Sequence, residues 1–367
     1  MTSIDTTSAS GLAARLRRII ALHFDPVGGS PYWIERARAL GLDAPRAIRT
    51  VADLAALGPM DMQALASRPV EDFVPASLTA QPRADWIVAE TGGTMGQPCF
   101  AVYRQDEFEA GFVRPFLPAA DRAGFPRGQA WLFVGPTGPH IIGRGAHGCA
   151  VAMGGPAPFY VDFDPRWARK LPDGSFARRR YLDHLIDQAM HVLTTQRIGV
   201  IFATPPVLEI LADCAPAPAR ERVRGIHFGG MAVAARLRDK LTERFPHTVL
   251  LSGYGNTLFG MMPELRYDAA TGIDYYPHGD RLVVQIVDAG GEDAARRIAR
   301  PVAYGERGQV MVHRLDEMQL LANVLERDTA VRIAPPADAA ALGFTSDGAR
   351  DPQPIVDTAT RPALGLY

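Results

Sequence analysis

The sequence predicts an α/β protein with layered sheets and flanking helices, and three observations support that fold class. Short runs of β-branched and aromatic residues alternate with amphipathic segments between residues 130 and 330, as in a sheet covered by helices. The chain has 367 residues, 47% of them hydrophobic, so it can bury a substantial core. Charged residues make up 22% and the net charge is −1, which excludes a strong global attraction for nucleic acid or an anionic membrane surface.

Residues 1–84 are expected to form an N-terminal helical segment. Apolar residues recur at helical spacing in "GLAARLRRIIALHF" and in "TVADLAALGPMDMQAL". Between them, Ser30 is the predicted N-cap and Pro31 the first residue of a helix in "SPYWIERARALGL". Proline fits that position because the first turn of a helix leaves its N–H groups without intrahelical acceptors.

Residues 85–334 are expected to form the α/β core, followed by a short tail. Two strands, "DWIVAE" and "CFAVYR", flank a glycine-rich loop. Further strands are predicted in "AWLFVGP", "GVIFA", "GIHFGG" and "TVLLSG", and hairpin-like segments in "RLVVQIVDAG" and "GERGQVMVHR". Helices are predicted in "RRYLDHLIDQAMHVLTTQR", "TPPVLEILADC" and "AVAARLRDKLTERF", the last with Val233, Leu237, Leu241 and Phe245 on one face. The tail, 335–367, has too few periodic apolar residues for a second domain, so a single structural domain is expected.

Cysteine usage and the N-terminus indicate a cytoplasmic protein. Cys99, Cys149 and Cys214 are too few and too scattered for a disulfide framework. The first residues are polar and lack the basic region of a signal peptide. No window approaches the roughly 20 apolar residues that a membrane-spanning helix needs.

The loop in "AETGGTMGQPC" is the strongest candidate for a ligand site. Its glycines do not fit the Walker or dinucleotide-binding spacing, and a strand follows where both patterns require a helix. Backbone N–H groups and the hydroxyls of Thr91 and Thr94 can surround a phosphate chain in such a hairpin. From the residues alone, a glycine-rich hairpin without a ligand is an equally good interpretation.

Three later motifs follow this loop in an order that resembles the adenylate-forming superfamily. They are "IHFGGMAVAARLRDKLTERF", "TVLLSGYGNTLFG" and "ERGQVMVHRLDEMQLLANVLERD". Together with the helical start, they resemble the phenylacetate–coenzyme A ligase branch over most of residues 25–335, and in particular the C-terminally truncated acyl-adenylating proteins of phenazine antibiotic biosynthesis. The resemblance implies ATP-dependent conversion of an aromatic carboxylic acid to its acyl-AMP, in a protein that is a homodimer.

The resemblance also implies a role for individual residues. The phosphate-binding loop would comprise Thr91, Gly92, Gly93, Thr94, Met95 and Gly96. The adenosine site would comprise Gly229, Gly230, Met231, Gly253, Tyr254, Gly255 and Asn256, with Tyr254 stacked on the adenine and Asp328 on the ribose hydroxyls. Thr257 would contact the α-phosphate, and it is the implied catalytic residue together with Thr91 and Thr94. The acid would be surrounded by His140, Ile141, Gly143, Ala203, Phe228 and Ser252. Taken alone, Tyr254 is as well explained as a packed aromatic residue and His140 as a loop histidine. For Asp328 taken alone, a surface ion pair with Arg327 is the favoured interpretation.

Four departures from the family pattern affect the expected chemistry. Gln97 stands where the family carries a lysine, and Leu258 where it carries a magnesium-binding glutamate, so Mg²⁺ is expected to be held mainly by the ATP phosphates, with Glu90 or Glu264 as alternatives. "LERD" retains only Asp328 of the family's ribose motif. The family's small C-terminal domain, which carries the adenylating lysine, is expected to be absent, and neither Lys170 nor Lys240 lies in a motif that replaces it. Coenzyme A transfer is therefore not expected from this chain alone.

These departures leave two alternatives to an independent enzyme. One is a non-catalytic protein that binds an aryl acid or its adenylate, and the other is a subunit completed in trans by a lysine-bearing domain. A downstream reductase or acyl acceptor is the expected partner, and neither nucleic acid nor a membrane is. A zinc site at His140, His147 and Cys149 is a weaker alternative, because their spacing matches no standard four-ligand pattern.

Overall fold

The computed structural model describes residues 6–93, 97–230, 235–291 and 293–355. Its α-helices are α1 (Thr6–His23), α2 (Pro31–Leu40), α3 (Ala44–Ala47), α4 (Met62–Ser67), α5 (Ala76–Thr79), α6 (Gln105–Phe108), α7 (Phe116–Ala123), α8 (Ile141–Ala152), α9 (Pro165–Lys170), α10 (Phe176–Thr195), α11 (Pro205–Cys214), α12 (Ala217–Arg222), α13 (Ala235–Arg244) and α14 (Ala294–Arg297). Short 3₁₀ segments cover Val51–Leu57, Val70–Phe73 and Ala337–Leu342, and a π-helical turn covers Glu109–Val113.

The described strands form one hairpin and one large mixed sheet. They are β1 (Ile87–Glu90), β2 (Phe100–Tyr103), β3 (Ala130–Val134), β4 (Phe159–Val161), β5 (Ile198–Ala203), β6 (Gly225–Gly229), β7 (Val249–Asn256), β8 (Gly260–Asp268), β9 (Gly272–Tyr275), β10 (Leu282–Val287), β11 (Arg307–Leu315), β12 (Leu320–Ile333) and β13 (Gly348–Pro354). The large sheet has 11 strands in the order β10-β11-β12-β13-β9-β8-β7-β6-β5-β3-β4.

The large sheet changes from parallel to antiparallel strand pairing at β7. From β4 to β7 neighbouring strands are parallel, as the predicted alternation of strands and helices requires. From β7 to β10 every pairing is antiparallel, including the predicted hairpin-like segments β10 and β11. The carboxyl ends of β3, β5, β6 and β7 therefore lie together at one edge of the sheet.

Helices cover both faces of the parallel half. On one face α10, α11 and α13 pack against apolar side chains of the strands, and Leu237, Leu241 and Phe245 of the predicted helical stripe are buried there. Val233 lies outside the described residues. On the other face, Phe133, Phe202, His227 and Leu251 occupy one row across β3, β5, β6 and β7, beneath α7 and α8.

The N-terminal segment confirms the predicted start of α2 but changes the role of its N-cap residue. Ser30 precedes Pro31 as expected, yet its side chain does not cap the helix. The Ser30 hydroxyl instead donates to the Phe73 carbonyl over 3.1 Å and lies 2.6 Å from Nδ1 of His23. The predicted helix after Thr50 is a 3₁₀ segment, Val51–Leu57.

The segment from residue 335 onward contributes to the large sheet. Its strand β13 lies between β12 and β9, so residues distant in sequence become neighbours in the sheet. Among the helices that the structure describes, none combines the length and the apolar character that crossing a bilayer requires.

Candidate functional site

Three adjoining cavities open at the strand edge where β3, β5, β6 and β7 end. The tyrosine cavity, about 200 Å³, contains Tyr254 and Asp328. The apolar cavity, about 100 Å³, contains mainly aromatic and aliphatic side chains, and the glycine-loop cavity, about 350 Å³, contains the β1–β2 loop. Residues 253–257 at the end of β7 border all three cavities. A ligand edge at the carboxyl ends of parallel strands is usual for open α/β sheets.

The tyrosine cavity brings together most of the residues implied to bind adenosine. Gly230, Gly253, Tyr254, Gly255 and Asp328 all line it. The Tyr254 hydroxyl donates to Oδ2 of Asp328 over 2.8 Å, and burial raises the pKa of this carboxyl group despite that hydrogen bond. Asp328 is therefore a buried acceptor held in place by the aromatic side chain.

Glycine is required where β6 and β7 end side by side. A Cβ atom on Gly229 would lie 2.5 Å from the carbonyl oxygen of Gly253, its partner in the sheet. Gly230 has φ +79°, a left-handed conformation that L side chains rarely adopt. Gly229 and Gly230 both border the apolar cavity, while Met231 lies outside the described residues.

The glycine-loop cavity joins the β1–β2 hairpin to the end of β7. Thr91, Gly92 and Gly93 line it together with Asn256 and Thr257. The predicted strand–loop–strand arrangement is confirmed, since β1 and β2 pair from Ile87↔Tyr103 to Glu90↔Phe100. The remaining loop residues of the prediction, Thr94, Met95 and Gly96, lie outside the described residues.

Hydrogen bonds fix the positions of the two threonines. The Thr91 hydroxyl accepts the Cys99 N–H over 2.9 Å, and the Thr91 N–H donates to the Cys99 carbonyl over the same distance. The Thr257 hydroxyl donates to the Glu90 carbonyl over 3.4 Å, and the Tyr103 hydroxyl donates to the Thr257 carbonyl over 2.6 Å. The two turns that the sequence suggested as one site are therefore in direct contact.

Glu326 is a residue of this cavity that sequence reasoning missed. Its Oε2 accepts the Asn256 side-chain N–H over 3.1 Å. Burial and the neighbouring Asp328 carboxylate raise the pKa of Glu326 to about 7. The available signal was its place two residues before Asp328 in the strand-like run "LLANVLERD".

The acidic residues suggested as magnesium ligands are engaged elsewhere. Glu264 is buried, with Oε2 2.8 Å from both Nη1 of Arg238 and the Ser252 N–H. Glu90 forms an ion pair with Arg166 over 2.8 Å. Leu258 is 3% exposed and offers no oxygen. Among the described residues, no group of three or more His, Cys, Asp or Glu side chains is arranged to hold a metal ion.

Half of the residues implied to surround the acid line the apolar cavity. His140, Ile141 and Ala203 line it. Aromatic and aliphatic side chains form much of the rest of its wall, among them Phe112, Phe133, Ile142, Phe202 and Met261.

Gly143, Phe228 and Ser252 do not line the apolar cavity. Successive residues of a strand face opposite sides, so Phe228 and Ser252 point away from the cavity that their neighbours His227 and Gly253 border. Phe228 packs in the core under α13, and the Ser252 hydroxyl lies 2.6 Å from the Tyr275 hydroxyl. Gly143 in α8 lines a separate shallow depression with Thr137.

Two further polar residues of the apolar cavity, Thr204 and His227, were not predicted. His227 is 3% exposed, and its Nδ1 lies 2.8 Å from the Leu251 carbonyl, which can only accept. The proton is therefore on Nδ1, and Nε2 is an acceptor. Burial lowers the pKa of His227 to about 4, so the ring is neutral near pH 7. The strand alternation in "GIHFGG", which places His227 and Gly229 on one face, was the available signal.

Comparison with solved structures identifies the fold. The chain superposes on 2-hydroxyisobutyryl-CoA ligase in complex with 2-HIB-AMP and CoA, with TM-score 0.70 and 16% identity, covering 100% of this chain and 72% of that chain. The same ligase in the postadenylation state with R3-HIB-AMP gives TM-score 0.66 and 15% identity, covering 96% and 68%. No protein-family model matches the sequence, and no curated protein does. The predicted fold class is confirmed: the chain is an α/β protein with the fold of the matched part of this ligase.

Proposed function

We propose that this protein binds ATP and activates a carboxylic acid as its acyl-adenylate. The observation that carries the proposal is the position of residues 253–257, which border the tyrosine, apolar and glycine-loop cavities at once. Adenylation requires a nucleoside, a phosphate chain and a carboxylate to meet at one phosphorus atom. Asn256 and Thr257 border both the apolar and the glycine-loop cavity, which is where that atom would lie.

The adenosine would occupy the tyrosine cavity. Gly230 and Gly253 leave room for a flat purine, and the Tyr254 ring offers it an aromatic surface. Asp328 Oδ2 already accepts the Tyr254 hydroxyl, so Oδ1 remains to accept a ribose hydroxyl. The Tyr254–Asp328 hydrogen bond would thus orient the ribose-binding carboxylate.

The phosphate chain would lie in the glycine-loop cavity, with Thr91, Gly92, Gly93 and the rest of the predicted loop around it. A carboxylate oxygen of the acid attacks the α-phosphorus, and the bond to the pyrophosphate oxygen breaks. Thr257 stands between the two cavities, where its hydroxyl would bind an α-phosphate oxygen, and Thr91 and Thr94 would orient the departing phosphates. The metal ion would be carried mainly by the nucleotide phosphates, since Glu90 is paired with Arg166 and Glu264 with Arg238.

The acid would enter the apolar cavity with its carboxylate toward Thr257. A cavity of about 150 Å³ lined by apolar side chains accommodates benzene, so a cavity of about 100 Å³ favours a small acyl group. Phe133 and Phe202 pack edge to face in its wall, with 5.3 Å between their centroids, so an aromatic ring would contact this pair while part of it lay in the opening toward Thr257. On this basis we propose an aryl acid of natural-product metabolism, phenazine biosynthesis included. The activated acid would pass to a reductase or another acyl acceptor, and the working protein would be a homodimer. The solved neighbour carries 2-HIB-AMP, so small aliphatic hydroxy acids belong in the same substrate panel.

A second candidate function is binding without turnover. Neither of the two lysines lines any of the three cavities, and Lys240 is paired with Asp213 over 2.7 Å on the surface. Leu258 adds no charge near the phosphates. The protein would then sequester an acid or its adenylate, or would need a lysine supplied in trans.

Pyrophosphate exchange separates these functions. The purified chain would be incubated with ATP, Mg²⁺, labelled pyrophosphate and a panel of aryl and small aliphatic acids, and AMP binding would be measured by calorimetry. Acid-dependent exchange supports the enzyme. AMP and acid binding without exchange supports the binding protein, and exchange restored by a partner supports completion in trans. Absence of both exchange and AMP binding would overturn the proposal.

A further inference from the structure

The apolar cavity contains a hydroxyl group that the fold does not use. Thr204 lines this cavity and is 6% exposed. Among the residues that the structure describes, none forms a hydrogen bond with its buried Oγ1. A buried hydroxyl without a partner opposes folding, so its position calls for a ligand that satisfies it.

The local sequence removes one of the two usual capping partners of this hydroxyl. Thr204 is the N-cap residue of α11, where a threonine side chain ordinarily accepts the N–H of the second or third helical residue. Here Pro205 and Pro206 fill the first two positions, so the second has no N–H to donate. The side chain makes no capping hydrogen bond, and the Thr204 carbonyl alone begins the helix by accepting the Leu208 N–H over 3.0 Å.

A second polar atom accompanies it in this cavity. His227 is held as the tautomer whose Nε2 accepts, because Nδ1 bonds to the Leu251 carbonyl. Its ring packs on Phe202, with 4.3 Å between centroids, in a wall that is mainly aromatic or aliphatic and also includes His140, Asn256 and Thr257. The cavity thus combines apolar surroundings with a hydroxyl that donates or accepts and a fixed ring acceptor.

We propose that Thr204 recognises a polar substituent on the acyl part of the acid, so that the substrate is a hydroxy-, amino- or oxo-substituted carboxylic acid and not a plain hydrocarbon acid. This inference rests on the proposed adenylating function and names its substrate class. A substrate that lacks the substituent would leave the buried hydroxyl without a partner, and discrimination of about 10- to 100-fold is expected from one such group.

The test compares matched acids in pyrophosphate exchange: benzoate with 2-, 3- and 4-hydroxybenzoate, and isobutyrate with 2-hydroxyisobutyrate. The wild-type protein should show at least a tenfold higher kcat/KM for one hydroxylated acid than for its parent. T204V, which replaces the hydroxyl by a methyl group, should abolish this preference while leaving the parent acid within about threefold. T204S should retain it, and T194V, on the surface of α10, should change nothing.

Equal kcat/KM values for every matched pair in the wild type, or an equal loss for both members of a pair in T204V, would overturn the inference. Equilibrium binding of the same acids in the presence of AMP distinguishes a failure of this inference from a failure of the proposed adenylating function. If T204V weakens the hydroxylated acid alone while no acid supports exchange, adenylation fails and the role of Thr204 stands.

Discussion

Two buried charged clusters of this protein differ in how completely their polar atoms are satisfied. In the first, Asp316 accepts from Arg281 over 3.0 and 2.5 Å and from Arg314 over 2.6 Å. The two guanidinium groups also donate to the carbonyls of Phe259, Leu258 and Val102. Although burial raises it, the two arginines bring the pKa of Asp316 down to about 2. We refer to Arg281, Arg314 and Asp316 as the arginine clamp.

The second cluster lines the tyrosine and glycine-loop cavities and has fewer hydrogen-bond partners. Glu326 accepts from Asn256 and Asp328 from Tyr254, but burial raises the pKa of both carboxyl groups, and the Asp328 carboxylate raises that of Glu326 further. We refer to Glu326 and Asp328 as the acidic pair. Buried polar groups whose hydrogen bonds are complete serve the fold, whereas those whose bonds are incomplete are candidates for function.

The arginine clamp also holds together the two segments that border the glycine-loop cavity. The Arg314 side chain donates to Val102 in β2 and to Leu258 after β7, and it lies 3.6 Å from the centroid of the Tyr103 ring. Tyr103 in turn donates to the Thr257 carbonyl. The glycine-loop hairpin and the turn after β7 are therefore joined by a network whose side chains, Tyr103, Arg281, Arg314 and Asp316, line none of the three cavities.

The largest expected effect is the loss of the clamp. D316N should lower the free energy of unfolding by about 3–5 kcal/mol, because it leaves two buried arginines without their counter-charge. Chemical denaturation monitored by tryptophan fluorescence measures this change. The matched control is D280N, since Asp280 pairs with Arg15 at the surface and should cost about 1 kcal/mol or less. Equal effects of D316N and D280N would remove the distinction between the two clusters.

The contribution of the acidic pair to stability should fall as pH rises, because the pKa of Glu326 is raised, whereas that of Asp316 in the arginine clamp is lowered. The folded-state pKa of Glu326 lies above its ordinary value of 4.5, so the folded protein binds the extra proton and this group's contribution to stability falls as pH rises from about 4.5 to 7. E326Q should remove that fall and gain up to about 3 kcal/mol relative to wild type at pH 8, with little gain at pH 4.5. Unfolding free energies at the two pH values test this. A constant difference between E326Q and wild type would show that Glu326 does not titrate in this range.

The sequence predicted local features well, but it predicted poorly which face of each strand borders the cavity. The β1–β2 hairpin and the Ser30–Pro31 helix start depend on neighbouring residues, and both are present. Which face of β6 and β7 borders the cavity depends on packing between distant helices, so Phe228 and Ser252 were chosen where His227 and Gly253 line it. The place of β13 in the sheet depends equally on distant pairing. Thr204 escaped notice because only a structure shows that a hydroxyl lacks a partner.

Substitution of Thr257 tests whether the arginine clamp serves stability while the cavities serve the reaction. T257V preserves size and the backbone carbonyl that Tyr103 contacts, so stability should change by less than about 1 kcal/mol. Pyrophosphate exchange should fall about 100-fold, the usual cost of removing one hydrogen bond to charge that develops in a transition state. Exchange at the wild-type rate would exclude the hydroxyl from the reaction, and a large loss of stability would assign Thr257 to the fold with the clamp.

The smallest expected effect concerns Gln97, which lines the glycine-loop cavity and is exposed. Q97K places a positive charge near the proposed phosphate site, but an exposed charge contributes at most about 1 kcal/mol, or about fivefold in affinity. ATP should therefore bind up to about fivefold more tightly to Q97K at low salt, and adenosine should bind unchanged. Q97M controls for the side-chain shape, and 0.5 M NaCl should reduce the gain because screening weakens exposed charges. A gain for adenosine as large as for ATP would mean that the loop does not face the phosphates. The glycine-loop cavity would then not be a phosphate site that contrasts with the structural arginine clamp.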